Sequence, residues 1–347
     1  ITENKSHHGE HYITRNRSEY FKMFYSAAGG GVIIALMALN KIHIASLGFG
    51  EFTTSFLAGL NYGLGFMLIH MLHCTVATKQ PAMTAASFAE QVDSNEGSKA
   101  VDNKLAKLLI DVCRSQSVAV FGNVSIAVLL AAGIAWGYAY THGQPLLNEA
   151  VTAYQLKSIE IFTQPTLWYA AIAGVWLFCS GIIAGFFDNR SDYLNLRQRL
   201  PFNPFLRKIM RPQPRRRLAA YIHKHYGSLM GNFIFGMLLG MTGYFGHLFG
   251  LPLDIRHVAF SSANLGYAAI SGHTDIFTFM LGLASVLAIG MVNLVVSFSL
   301  ALAVALRSRG TRLGSMRNLL KSFWTQVKAN PLILLYPVQV NNKENTK

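Results

Sequence analysis

Apolar residues along this chain gather into six blocks, each without an Asp or Glu at its centre: roughly 23–45, 52–73, 117–138, 166–187, 227–248 and 276–306. Each is about twenty residues or more, the length a helix needs to cross a hydrocarbon core of about 30 Å. No water in that core satisfies loose backbone groups, so helix is the conformation such blocks can take. The pattern predicts an all-α fold, a polytopic helical membrane bundle of about six transmembrane helices. It divides the chain into a polar segment 1–22, a transmembrane domain 23–306 with polar loops 74–116 and 188–226, and a basic tail 307–347.

Two connecting segments carry patterns of their own. In "KAVDNKLAKLLIDVCRSQ", Val101, Leu105, Leu108 and Val112 recur at helical spacing, with Lys104, Lys107 and Asp111 elsewhere. Such a helix lies on a membrane or a partner, or docks on the protein's own helices, and the sequence leaves these open. The segment "LPLDIRHVAFSSANLGYAAISGHTD" is too short and polar to cross, but Val258 to Ile270 reads as a partly inserted half-helix.

Charge gives the bundle an orientation. Only 13% of residues are charged, against about 25% in soluble domains, and the net charge of +14 is segregated. With the N-terminus inside, only Lys41, Lys157 and Arg256 of the 30 basic residues fall outside, where Glu51, Glu149, Glu160, Asp254 and Asp275 also lie. Basic residues are retained on the cytoplasmic side, so both termini are expected there. The three cysteines, Cys74, Cys113 and Cys179, lie in or beside apolar stretches and read as reduced thiols. The chain starts at Ile1 with a polar, signal-free stretch, so we expect it to be the C-terminal part of a longer protein whose own N-terminal region is a partner.

Small residues four apart mark helix packing: Gly59 and Gly63, Gly133 and Gly137, Gly181 and Gly185, Gly227 and Gly231, Gly236 and Gly240, Gly246 and Gly250. Helices approach closely through such faces in lipid, where burial alone gives no preference for helix over acyl chain. A repeated helical hairpin is visible as well. "GNVSIAVLLAAGIAWG" at Gly122 and "GNFIFGMLLGMTGYFG" at Gly231 share five positions, and each precedes a Gly-x-Pro-Leu turn. Both copies run from inside to outside, which implies a parallel duplication.

Four amides, Asn61, Asn123, Asn232 and Asn293, fall within the apolar blocks. Each is expected either to bridge helices or to line a polar substrate path. "HMLHC" places His70, His73 and Cys74 on one helical face, a weak candidate for a metal site. The run 197–227 holds nine Lys and Arg and no carboxylate; its basic residues before Lys224 are Arg197, Arg199, Arg207, Lys208, Arg211, Arg215, Arg216 and Arg217. A cytoplasmic loop beside anionic lipid accounts for it, and nucleic acid is a partner it allows without requiring.

The stretches "AAGGGVIIALMALNKIHIASLGFGEFTTSFLAGLNYGLGFMLIHMLHCTVATKQPAMTAASFA", "GFFDNRSDYLNLRQRLP" and "GNFIFGMLLGMTGYFGHLFGLPLDIRHVAFSSANLGYA" resemble the polytopic bacterial inner-membrane proteins labelled site-specific recombinase. The resemblance covers almost the whole chain after residue 20 and implies an inner-membrane location. It supplies no catalytic residue to carry over. A tyrosine recombinase commonly has a His-x-x-Arg element, and none of the 12 histidines has Arg three positions on. A serine recombinase needs a soluble catalytic domain, and no soluble stretch here exceeds about 45 residues, short of the size that usually folds alone. No catalytic constellation and no cofactor are therefore expected in this portion. The reading from the residues is a non-enzymatic scaffold or carrier for a small or lipidic molecule. The alternative is a membrane-tethered factor in DNA recombination, as the family label states.

Overall fold

A computed structural model describes residues 14, 16–77, 85, 89, 99–308 and 316–337. Among these residues there are helices and no strands. The nine longer helices are α1 (Arg17–Ser46), α2 (Glu51–Met71), α3 (Lys99–His142), α4 (Glu149–Ile159), α5 (Thr166–Tyr193), α6 (Pro212–Phe249), α7 (Val258–Ser271), α8 (Ile276–Ser308) and α9 (Met316–Ala329). Six of them, α1, α2, α3, α5, α6 and α8, are long and apolar enough to cross a membrane.

The helices overrun the apolar blocks. Helix α3 continues without a break from the amphipathic tract into the third block. Its Leu105, Leu108 and Val112 pack against Ala305 and Leu306 of α8 and Leu319 of α9. Of the two expectations for this tract, docking on the protein's own helices is the one realised; Val101 lies outside the described side chains. Arg114, 3% exposed, ties this corner together: its guanidinium meets Asp111 at 2.7 Å, the Ile333 carbonyl at 3.3 Å and the Thr14 carbonyl.

Loop 188–226 is also largely helical. Helix α5 runs on to Tyr193, short turns span 196–209, and α6 begins at Pro212 with proline at its first position, where no backbone N–H is required. One end of the bundle thus carries the arginine-rich turn and α9, and is called the basic end below. The opposite end carries α4 and the α1–α2 turn.

Helices α2 and α6 cross at the centre through glycines. A Cβ on Gly236 would fall on the Gly63 backbone, and one on Gly240 would fall on that of Gly59. Gly231 faces Ala184 and Ser180 of α5 in the same manner. The expectation for Gly133 and Gly137 is corrected: nothing lies within 4 Å of a Cβ at either. Spacing alone does not say which face of a helix meets a neighbour, and theirs looks outward.

Candidate functional site

Two asparagines near the midpoints of α3 and α8 hold the core in the same way. Asn123 Nδ2 donates to the carbonyls of Ala27 in α1 and Thr75 after α2, and Asn123 Oδ1 accepts from the Ala77 N–H at 2.6 Å. Asn293 Nδ2 donates to Ala170 in α5 at 2.7 Å and to Arg256 after α6 at 3.0 Å, and Asn293 Oδ1 accepts from the Val258 N–H at 3.0 Å. Both side chains are fully buried.

The surroundings correspond too. Thr75 N–H donates to Ser26 at 3.1 Å, and Arg256 N–H to Tyr169 at 3.2 Å. A Cβ on Gly31 would meet the Asn123 carbonyl and Ile126, and one on Gly174 would meet the Asn293 carbonyl and Val296. Left-handed residues follow α2 and α6, His73 at φ 56° and Gly250 at φ 61°. The glycine crossing completes the relation, since exchanging the pairs Gly59–Gly63 and Gly236–Gly240 reproduces the same contacts. Helices α1, α2 and α3 therefore superimpose in role on α5, α6 and α8.

The two triplets run in opposite senses. Along the α2–α6 contact Gly59 meets Gly240 and Gly63 meets Gly236, so these counterparts are antiparallel. The bundle is an inverted repeat of three plus three helices. The hairpin similarity at Gly122 and Gly231 does lie on helices of like direction, but the environment of Asn123 recurs at Asn293 and not at Asn232. Asn232 is 6% exposed and has no hydrogen-bond partner among the described residues.

Inverted repeats with broken helices place their working sites where the repeats meet, near mid-depth. Here the chain after α6 descends to the middle of α8, where Asn293 receives it, and α7 climbs back toward the opposite end. Eleven of the fourteen residues of α7 are buried, because it packs against α1, α3, α4 and α8. Its Tyr267 hydroxyl donates to the Ala35 carbonyl at 2.9 Å. In the first repeat the corresponding chain after Ala77 lies mostly outside the described residues. Ala85 and Ala89 are helical and fully buried there, Ala89 against the basic end of α8.

Beside the first turn of α7 is a vestibule of about 360 Å³ reaching toward the opposite end. Its polar lining includes Lys41, Tyr154, Gln155, Asp254, Arg256 and Asn264. Arg256 meets Asp254 at 2.6 Å and donates through Nε to the Ser158 carbonyl at 2.6 Å, with its guanidinium 5.4 Å from the Tyr169 ring. Asn264 Oδ1 is buried without a hydrogen-bond partner among the described residues. The floor is aromatic: Tyr62 and Phe260 stack at 4.1 Å, Phe66 meets Phe260 and His257 edge to face, and Phe235 lies edge to face with His257 and tilted against Phe66. His257 also caps α7, its Nδ1 accepting from Ala259 N–H at 3.3 Å. Beyond the floor, toward the basic end, His70 Nε2 and His225 Nδ1 are 3.1 Å apart.

The residues singled out in the sequence are distributed as follows. Asn61 bridges helices, donating to the Met37 carbonyl at 2.8 Å and accepting from Asn40 at 2.9 Å. His70 turns to His225, His73 takes the left-handed position after α2, and the Cys74 thiol donates to the Leu72 carbonyl at 3.7 Å. Partial burial pushes the Cys74 thiol above its usual range, which disfavours the thiolate a metal would need. No group of three His, Cys, Asp or Glu side chains that could hold a metal occurs among the described residues.

Arg197, Arg199, Arg207, Lys208, Arg211, Arg216 and Arg217 are exposed at the basic end and Arg215 is half-buried. Exposed Phe202, Phe205 and Ile209 stand among them. Arg215 to Arg217 sit near the start of α6, where the helix dipole disfavours cations. Helix stability does not explain them. The vestibule residues Lys41, Tyr62, Asp254, Arg256 and His257 are not legible as a group, although Lys41 and Arg256 stand out as basic residues on the otherwise acidic side.

A family model described as site-specific recombinase matches residues 1–337. The chain belongs to the site-specific recombinase family. No curated protein and no solved structure gives a significant match. The recombinase-family match takes in both repeats, the vestibule and the arginine-rich turn alike.

Proposed function

We propose that this protein is a carrier for a small or lipidic molecule, whose pathway runs between the two inverted halves. The observation that supports this most is the pair of asparagine clamps, which make the halves structural counterparts of opposite sense and hold α7 at mid-depth beside a polar vestibule. Such an arrangement lets the halves rock about a fixed site and open it to either face in turn. The aromatic floor would be the closed gate in this conformation, with the His70–His225 pair on its other side.

In this reading the protein is a multi-pass protein of the bacterial inner membrane with the basic end cytoplasmic. The exposed arginines and phenylalanines between α5 and α6 lie against anionic headgroups, each basic residue contributing about 1 kcal/mol of attraction. The second reading is a membrane-tethered factor in recombination, favoured by the family description and by the same arginines. Purified protein in liposomes should move small solutes, and bulky thiol labelling of a Ser55→Cys variant at the vestibule should block that movement. Absence of flux for every solute, together with sequence-selective DNA binding at physiological salt, would favour the recombination reading.

A further inference from the structure

The carrier reading leaves the solute unspecified, and the charge and shape around the vestibule narrow it. Three charged side chains line it: Lys41, Asp254 and Arg256. Asp254 and Arg256 satisfy one another at 2.6 Å, which leaves Lys41, with no carboxylate within 4 Å among the described residues. Phe260, Ser261 and Asn264 near the start of α7 line the same space, and although the first two N–H groups are taken by Asn293 and His257, the helix dipole makes this end positive. Lys41 is part-buried, and Asp254, the carboxylate that acts on it, is already engaged by the Arg256 guanidinium, so the two cations outnumber the one carboxylate and the site favours an anion.

A second cavity, of about 450 Å³, adjoins the first. It shares Lys41, Ala45, Tyr154 and Gln155 with the vestibule. Its remaining walls are mainly aliphatic, with Leu39, Ile42, Leu146 and Val151 prominent. Lys41 therefore stands on the boundary between a polar chamber and an apolar one.

Resting on the carrier reading, we infer that this site takes an amphipathic anion, with its carboxylate or phosphate against Lys41 and a short apolar chain in the adjoining cavity. The side-chain amide nitrogens of Asn264 and Gln155, both residues of the vestibule wall, can donate to the headgroup. The source is either a free short-chain acid or an anionic lipid headgroup entering from the membrane, since both present the same chemistry.

The test uses the full chain in nanodiscs of zwitterionic lipid, titrated with octanoate, acetate or tetramethylammonium while tryptophan fluorescence and thermal unfolding are followed. Octanoate should bind and stabilise, and acetate should bind at least tenfold more weakly, because the aliphatic walls are then left unfilled. Lys41→Met should weaken octanoate about tenfold or more, with Lys41→Arg retaining it. Unliganded melting of each variant reports whether it folds, and Lys41→Gln is the substitute if Met disturbs packing.

Equal affinity for octanoate and acetate, binding of tetramethylammonium, no binding at all, or octanoate affinity unchanged in Lys41→Met would each overturn the inference. Adding phosphatidylglycerol to the nanodiscs separates the sources: displacement of octanoate supports a lipid headgroup, and undiminished octanoate binding supports a free acid. Octanoate binding without liposome flux would sink the carrier reading and leave the anion site standing, whereas flux of cations alone would do the reverse.

Discussion

Asn293→Leu should destabilise the bundle by about 3 kcal/mol, because it leaves the Val258 N–H and the Arg256 carbonyl buried without their partner, each at a cost of about 1–3 kcal/mol. The Ala170 carbonyl adds less, since it lies within a helix. A single amide here fixes where the chain between α6 and α7 reaches mid-depth, so the loss should also loosen α7. Asn123→Leu should behave alike, its three hydrogen bonds being the counterparts. Asn232→Leu removes no hydrogen bond among the described residues and should cost about 1 kcal/mol or less, near the average for interhelical polar contacts in membranes. Reversible unfolding in mixed micelles would measure all three. Equal losses at Asn232 and Asn293 would show that the clamps have no special role.

Gly236→Leu should be more damaging still. A Cβ alone would occupy the space of the Gly63 backbone, and neither backbone can withdraw without separating α2 from α6. Overpacking of a close-packed interior usually costs about 1–3 kcal/mol, and a whole isobutyl group at a glycine crossing should exceed that and prevent assembly. Gly236→Ala should already lower stability measurably. Gly133→Ala is the matched control: with open space around it, a helix-interior glycine exchanged for alanine should gain about 0.5–1 kcal/mol. Stability that is unchanged in Gly236→Leu would mean that α2 and α6 do not cross here.

The six long helices are legible in the sequence because crossing hydrocarbon demands about twenty apolar residues and allows nothing but helix at such blocks. Their overruns are not, since the polar first turns of α3 and α6 look like loop until something docks on them. The half-helix at Val258–Ile270 is legible in extent, and α7 spans Val258–Ser271. Its place at the core needs the fold.

The inverted repeat is nearly invisible in the residues. Its matching bonds mostly involve backbone groups, so Thr75 can answer to Arg256, Ala77 to Val258 and His73 to Gly250 without any likeness of side chains. Asn123 with Asn293 and Gly31 with Gly174 are among the few identities left. The Gly-Asn similarity at Gly122 and Gly231 is louder in sequence and relates a different pair of helices. The vestibule joins Lys41, Tyr154 and Arg256 from three distant parts of the chain, and no local pattern announces such a group.

Single cysteines introduced at Asn264, Glu149 and Arg216, in a background with Cys74, Cys113 and Cys179 replaced by serine, would place α7 within the membrane. A membrane-impermeant thiol reagent applied to intact cells and to inverted vesicles should label Asn264→Cys from the same face as Glu149→Cys, because the vestibule opens at the opposite end. Arg216→Cys should label from the other face. Labelling of Asn264→Cys from the face that labels Arg216→Cys would contradict the inverted arrangement and the vestibule together.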